Sequence, residues 1–184
     1  GRVLWRRTCS ERTFNLEVVE GEFSLKVLNL SRDFFERQPM VRMNDDGNVT
    51  WWNAFGDTGE DYARWFDQNP DHSFNIVGST QSYGNGMDDF WLLFTNEDGT
   101  PTSWFTYGGG GADICYNGSR DVDGSFLMAG HTWSFGLDAP NMFLVKAAAN
   151  GDSLWALDWG DQDWEYAWDV KPTFDGGYVL LGRD

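Results

Sequence analysis

Three tryptophans are the residues of this sequence best suited to bind a ligand. Trp133 falls in a stretch predicted to be a loop, and Trp164 and Trp168 are out of phase with the tryptophans that recur along the chain. An exposed indole ring offers a flat apolar face and one polar N–H, which suits stacking against a sugar ring. These three tryptophans are therefore the candidates for a carbohydrate-binding surface.

A second group of candidates is acidic. Asp57, Glu60 and Asp61 lie in the loop that follows the strand predicted around Trp51. Corresponding loops at 108–113 and 160–165 leave their strands at the same point, so the three loops are expected on one face. Clustered carboxylates make such a face strongly negative, which would suit a cation or a basic protein. The alternative is that these are ordinary solvated loops.

Carboxylates and amides also cluster in the predicted turns 44–47, 96–99 and 121–124. Calcium takes about six to eight oxygen ligands, so these turns are candidate calcium sites. The ligands would be Asp45, Asp46, Asp98, Asp121 and Asp123. None of the turns has the spacing of an EF-hand loop, and Asp and Asn favour turns without any metal because they hydrogen-bond nearby backbone. We therefore expect no cofactor, with calcium as the alternative.

Groups for catalysis are few. His72 lies in a predicted turn, and His131 directly follows a recurring glycine; neither has a Ser or Cys partner at a recognisable spacing. Cys115 occupies a position filled by alanine in the neighbouring repeats, which predicts a small buried side chain. The spacing leaves open whether Cys9 and Cys115 pair. The sequence is therefore predicted not to encode an enzyme.

These candidates are positioned by a repeat of 52 residues. Gly47, Gly99 and Gly151 are separated by that interval, and so are three further sets of landmarks: Phe55-Gly56, Tyr107-Gly108 and Trp159-Gly160; Asp61, Asp113 and Glu165; and Gly78, Gly130 and Gly182. Trp51, Trp104 and Trp155 follow the period within one residue and are predicted to pack between repeats. A period of this length, built from short apolar runs and glycines, is typical of a propeller blade or another stacked repeat.

Within each repeat the pattern predicts four short antiparallel strands separated by glycine-containing turns. The fold class predicted is therefore all-β, a β-propeller of four-stranded blades with a core made of interfaces between blades. The predicted units are 47–98, 99–150 and an incomplete 151–184, within a repeat region of 43–184. Residues 1–42 are a divergent repeat or a capping segment.

The predicted strands do not divide into complete four-stranded blades, because the last unit lacks a strand. We therefore expect either Gly1–Trp5 or the strand near Met40 to complete a blade with the C-terminal strands, or the chain to belong to a larger ring. The start at Gly1, without an initiator Met or a signal peptide, is consistent with processing or with a fragment.

Charge restricts the partners. The net charge is −16, with 29 acidic against 13 basic residues. Such a field repels nucleic acid and anionic lipid, and no apolar run is long enough for a membrane span. Three glycosylation sequons, at Asn29, Asn48 and Asn117, favour an extracellular or cell-surface protein.

The repeat resembles a known one. The run at 175–182, Asp-Gly-Gly-Tyr-Val-Leu-Leu-Gly, is followed in the repeat order by segments such as Phe143-Leu-Val-Lys146 and by Gly-x-x-x-Trp. This pattern is similar to the propeller repeat of many secreted or surface proteins of bacteria and archaea. The resemblance covers about 43–184 and implies an extracellular β-propeller, generally without a catalytic site. A weaker likeness to quinoprotein propellers lacks the adjacent cysteine pair of that family.

Two functions follow as expectations. The first is a non-catalytic extracellular propeller that serves as a structural or protein-binding module in a surface assembly. The alternative is a carbohydrate-binding or carbohydrate-active propeller. The expected partners are other protein chains or glycans.

Overall fold

The computed structural model describes all atoms of residues 39–136 and 139–183 and the backbone of 8–9, 12–19 and 22–27. These residues form β-strands and, within the described ranges, no helix. The strands are β1 (Thr8–Cys9), β2 (Arg12–Val19), β3 (Glu22–Val27), β4 (Pro39–Met43), β5 (Val49–Ala54), β6 (Asp61–Gln68), β7 (Phe74–Thr80), β8 (Asp89–Thr95), β9 (Pro101–Tyr107), β10 (Asp113–Arg120), β11 (Phe126–Thr132), β12 (Asn141–Ala147), β13 (Ser153–Trp159), β14 (Tyr166–Pro172) and β15 (Tyr178–Arg183).

The strands form four antiparallel sheets, and within each sheet the strands that are adjacent in sequence pair with each other. The sheets are β1–β5, β6–β9, β10–β13 and β14–β15. The all-β class and the antiparallel meander within each repeat are therefore as predicted. The boundaries differ from the predicted units, because the strand that carries Trp51 pairs with β4 and closes the preceding sheet. Each sheet thus begins about a quarter of a repeat later than the sequence landmarks indicated.

The hydrophobic core is a row of interfaces between successive sheets. In the last two sheets the first strand covers the preceding sheet: β10 packs on β6, β7 and β8, and β14 packs on β10, β11 and β12. One cluster joins Met40 and Phe55 to Ile76 and Trp91. The next two clusters are centred on Cys115 and on Ala167. Cys115 and Ala167 are fully buried in these clusters, and a small buried side chain is what the sequence predicted at position 115.

The glycines that close each repeat are required by this close approach. In β7, a Cβ on Gly78 would lie 1.7 Å from the carbonyl oxygen of Tyr62, and in β11 a Cβ on Gly130 would lie 1.9 Å from that of Ile114. Both glycines sit opposite a bulge in the first strand of the sheet, after Ala63 and after Cys115 respectively. The bulge pushes the backbone inward, so no side chain fits there.

One of the alternatives for completing a blade is excluded, and one expectation about tryptophan packing is wrong. The strand near Met40, β4, lies between β3 and β5 and does not complete a sheet with the C-terminal strands; Gly1–Trp5 lies outside the described residues. Trp51 and Trp155 pack against core clusters, but Trp104 is 48% exposed. Trp104 lies one residue beyond the position that corresponds to Trp51 and Trp155 in the repeat. A shift of one residue along a strand turns a side chain to the opposite face of the sheet.

Candidate functional site

One end of the sheets gathers the loops that the sequence singled out. The segments that enter β6, β10 and β14 lie there, together with the β7–β8 and β11–β12 loops. A buried aspartate holds these loops together. Asp113 accepts hydrogen bonds from the hydroxyls of Thr132 and Ser134 and from the Gly109 N–H, and Ser134 in turn accepts one from the Gly111 N–H.

The preceding repeat has the same arrangement. Asp61 is 1% exposed and accepts hydrogen bonds from the hydroxyls of Thr80 and Ser82. Ser82 accepts from the N–H groups of Asp57 and Gly59. Asp61 and Asp113 are therefore buried residues that hold their loops in place by accepting hydrogen bonds from them. Of the three acidic candidates, Asp57 and Glu60 are exposed and Asp61 is not.

Five aromatic residues, three of them exposed and two half-buried, form a continuous strip at this end. It consists of Trp133, Trp164, Tyr166, Trp168 and Tyr116, which we call the aromatic strip. Successive ring centroids are separated by 5.7, 6.2, 5.4 and 4.7 Å in that order. The strip crosses the junction between the β10–β13 sheet and β14. All three candidate tryptophans therefore belong to one surface.

The tryptophans of the strip keep much of their area in contact with solvent. Trp133 is 46% exposed, Trp164 57% and Trp168 43%. Tyr166 and Trp168 are stacked, with an interplanar angle of 19°, whereas Trp133 meets Trp164 edge to face. Each ring is therefore supported by a neighbour and presents flat apolar area without requiring a side chain to be ordered on binding.

His131 supports the strip from below. It is 5% exposed, and its Nδ1 lies 2.8 Å from the hydroxyl of Tyr116. Burial lowers the pKa of His131 to about 4 and raises that of Tyr116 to about 12. At neutral pH the imidazole is therefore uncharged, and its Nδ1 can accept the hydrogen bond that the phenol donates.

Three aspartates with buried carboxylates lie close to one another next to the same loops. Asp88 is 6% exposed, Asp89 3% and Asp113 0%. A Cβ on Gly108 would lie within 2.4 Å of both Asp89 Oδ1 and Asp113 Oδ2, which shows how closely the two carboxylates approach. Burial, with the charges of Asp113 and Asp88, raises the pKa of Asp89 to about 6.

The candidate calcium ligands are occupied by contacts within the protein or lie in exposed turns. Asp121 and Asp123 bind the ammonium of Lys146, at 2.9 and 3.2 Å. Asp98 accepts hydrogen bonds from the N–H and hydroxyl of Thr100 in its own turn. Asp45 and Asp46 are exposed at the β4–β5 turn. Among the described residues, no group of three or more His, Cys, Asp or Glu side chains is placed to hold a metal ion.

The other reactive side chains are held in structural contacts or stand apart. Cys115 is a fully buried free thiol whose pKa burial raises to about 12. A thiol with such a pKa is a poor nucleophile at neutral pH. His72 is exposed in the β6–β7 turn, and the side chain of Cys9 lies outside the described residues.

Sequence reasoning missed Tyr116, Tyr166 and His131 as members of this surface. Tyr116 and Trp168 are separated by one repeat length, and so are Ile114 and Tyr166. The signal was therefore present: polar aromatic residues accumulate at the first-strand positions of the last two units. Recognising the surface also required knowing that β10 and β14 lie side by side.

The comparisons with known proteins identify a fold and no family. No protein-family model matches the chain, and no curated protein does. A crystal structure of a protein of unknown function from Bacteroides caccae is similar, with a TM-score of 0.55 and 13% identity. The match covers 96% of this chain and 56% of that one, so this chain spans little more than half the length of its structural neighbour. No helix that could cross a membrane occurs in the described part of the chain.

Proposed function

We propose that this chain forms part of an extracellular β-propeller and that its aromatic strip binds carbohydrate. Three observations support a propeller. The sequence has a 52-residue period, the β6–β9 and β10–β13 sheets are four-stranded antiparallel meanders, and β10 and β14, the first strands of their sheets, each pack on the preceding sheet. The binding function rests chiefly on one observation: Trp133, Trp164 and Trp168, chosen from sequence, lie in a single exposed strip.

The composition of the strip favours sugar over other ligands. Its rings supply apolar faces for the C–H groups of a sugar, and the phenol of Tyr166 and the indole N–H groups supply polar contacts at the edges. Exposed Asp161 and Asp163 lie beside Trp164 in a chain of net charge −16. An acidic glycan would be repelled, so the expected ligand is an uncharged oligosaccharide.

A glycan array tests this function. The chain should bind a subset of neutral glycans, and Trp164→Ala should abolish the signal. Trp52→Ala is the matched control, because Trp52 is 60% exposed and lies outside the strip. Equal losses in the two variants, or no bound glycan on the array, would refute the proposal. Both changes remove exposed rings, so both variants should fold.

A structural or protein-binding role in a surface assembly is favoured by one further observation. Val179 and Leu181 of β15 are 55% and 66% exposed, whereas Leu127 and Ala129, one repeat earlier, are fully buried by the next sheet. The outer face of β14–β15 is therefore suited to contact another β-sheet. Sedimentation of the chain with and without Leu181→Asp tests this role; self-association that the change abolishes would support it, and a monomer in both would count against self-association.

Neither role requires chemistry on the ligand. We propose that the protein is non-catalytic, which agrees with the structural contacts of His131 and the protonated, buried thiol of Cys115. Incubation of the array-selected oligosaccharide with the chain, followed by chromatography of the products, would reveal cleavage if the proposal were wrong.

A further inference from the structure

Three asparagines of this chain are followed directly by glycine, at 85–86, 117–118 and 150–151. In such a pair the backbone nitrogen of the glycine attacks the side-chain amide carbon of the asparagine, since glycine has no side chain to hinder the approach. A five-membered succinimide ring forms, and the amide nitrogen leaves as ammonia with the proton of the attacking N–H. Water then opens the ring to aspartate or to isoaspartate. The reaction requires the asparagine side chain and the glycine N–H to be free, so the fold decides which pairs react.

The pair at 117–118 is protected by the sheet. It lies within β10, where Gly118 is paired with Met128 of β11. The side-chain nitrogen of Asn117 donates to Asp169 of the next sheet at 2.9 Å, and its oxygen accepts the Gly118 N–H at 2.9 Å. Reaction at this pair therefore requires β10 to open from strands on both sides of it, which is a large unfolding event.

The pair at 150–151 is held by its own turn. The Asn150 side chain donates to Asp152 at 2.8 Å and accepts from the Asp152 N–H at 3.2 Å. The Gly151 N–H, which contains the attacking nitrogen, donates to the carbonyl oxygen of Ala148 at 2.9 Å. All three hydrogen bonds must open before the nitrogen can reach the amide carbon.

The pair at 85–86 has neither kind of protection. Both residues are exposed in the β7–β8 loop. Within the described part of the chain, the Asn85 side chain and the Gly86 N–H make no hydrogen bond. The amide carbon and the attacking nitrogen are therefore both available in the folded protein.

Packing nevertheless requires the glycine of this pair. Gly86 has φ 118°, and a Cβ there would lie 2.7 Å from the carbonyl oxygens of Gly109 and Gly111. A larger residue would therefore displace one of the two loops. The reactive pair is retained because the loops approach each other closely at this glycine.

We propose that Asn85 is a site of spontaneous deamidation in the folded protein and that Asn117 and Asn150 are protected from it. The isoaspartate product adds one carbon to the backbone between two hydrogen bonds that fix the loop. These are the bonds from the Asn85 N–H to Asp89, at 2.8 Å, and from the Met87 N–H to the Gly111 carbonyl, at 3.3 Å. The longer backbone disturbs them, so the modified chain has a lower Tm than the fresh protein.

Peptide mapping by mass spectrometry during incubation at pH 8 tests the proposal at all three pairs in one sample. Asn85 should convert about tenfold faster or more than Asn117 and Asn150, because hydrogen bonds must open first at those two positions. In denaturant the three rates should differ by less than about threefold, because the protection given by the fold is lost. Equal rates in the folded protein would overturn the proposal, and so would a preference for Asn85 that is undiminished in denaturant.

Asn85→Gln is the matched control. Glutamine at this exposed position would have to form a six-membered ring and reacts far more slowly, and the variant should fold. During the same incubation the Tm of the unaltered protein should fall while that of Asn85→Gln stays constant. Equal declines in the two proteins would refute the effect of this modification on stability. The reaction uses no ligand, so the result is independent of carbohydrate binding.

Discussion

Replacing Asp89 by asparagine should stabilise the protein at neutral pH and leave it unchanged in acid. Asp89 is 3% exposed and approaches the fully buried Asp113. Burial and the nearby carboxylates raise its pKa to about 6, from an ordinary 3.8. The folded state therefore holds this proton more tightly than the unfolded chain does, and stability falls as pH rises from about 4 to about 6. Asparagine is the natural replacement, because Asn141 holds this position in the next repeat.

The magnitude follows from the size of the pKa difference. Two pKa units correspond to roughly 3 kcal/mol of destabilisation once Asp89 is ionised, and this is the upper limit of the gain. For a domain of this size, 1 kcal/mol moves the Tm by about 2–4 °C. Above pH 7, Asp89→Asn should therefore raise the Tm by up to about 10 °C, and below pH 4 it should have no effect. Asparagine can still accept the Asn85 N–H that Asp89 Oδ2 accepts at 2.8 Å.

Thermal unfolding of both proteins between pH 3.5 and pH 8 measures the effect. Asp45→Asn, in an exposed turn, is the control and should show no comparable pH-dependent gain. A gain of the same size at every pH would refute the electrostatic reasoning, and so would a loss at pH 8. The titration of groups far from Asp89 occurs in both proteins and cancels in the difference between them.

Three further predictions concern other contacts. Lys146→Met should lower the free energy of unfolding by leaving Asp121 without its cation, and by clearly more than Lys171→Met, which removes an exposed ion pair and should cost less than about 1 kcal/mol in the same denaturant titration; equal losses would contradict this account. Burial lowers the pKa of His131 to about 4, so the contribution of the neutral imidazole to stability is full above pH 6.5 and is lost as the pH falls towards 4. His131→Gln should therefore make the free energy of unfolding fall less steeply with decreasing pH, and an unchanged pH dependence would show that His131 does not contribute to it. Trp104→Ala should cost less than about 1.5 kcal/mol, while Trp91→Ala, at a 2% exposed position, should cost about 3–5 kcal/mol; a reversed order in chemical unfolding would show that exposure does not govern these losses.

Much of the architecture could be predicted because the repeat constrains backbone and packing together. A glycine that recurs at 78, 130 and 182 indicates a place where no Cβ fits, and the strand order follows from the short turns between apolar runs. The sheet boundaries could not be predicted, because a meander of evenly spaced strands has no local signal for where one sheet ends. Only the strand pairing shows that Val49–Ala54, paired with β4, closes one sheet and that Asp61–Gln68, paired with β7, opens the next.

The aromatic strip was predictable in part. Trp133, Trp164 and Trp168 were identified because they break the repeat, and residues that break a repeat are not needed for its packing. The role of Asp61 was misjudged, since an acidic residue in a loop looks exposed until the hydroxyls of Thr80 and Ser82 are seen to enclose it. Such contacts between residues about 20 positions apart depend on strand register, which single residues do not reveal.

The similarity to the Bacteroides caccae protein adds support for the fold and none for the ligand. At 13% identity the shared feature is the course of the backbone, and unrelated functions occur on one fold. The aromatic strip is a feature of this chain's own side chains, so the experiments on it must use this chain.

The measurement that bears most directly on carbohydrate binding is an NMR titration of the indole N–H signals. The chain has 11 tryptophans, each with its own signal. An oligosaccharide selected on the glycan array should shift the signals of Trp133, Trp164 and Trp168 together and leave those of the exposed Trp52 and Trp104 in place. Shifts confined to Trp52 or Trp104, or no shift at any indole during saturation, would contradict the assignment of the aromatic strip as the binding surface.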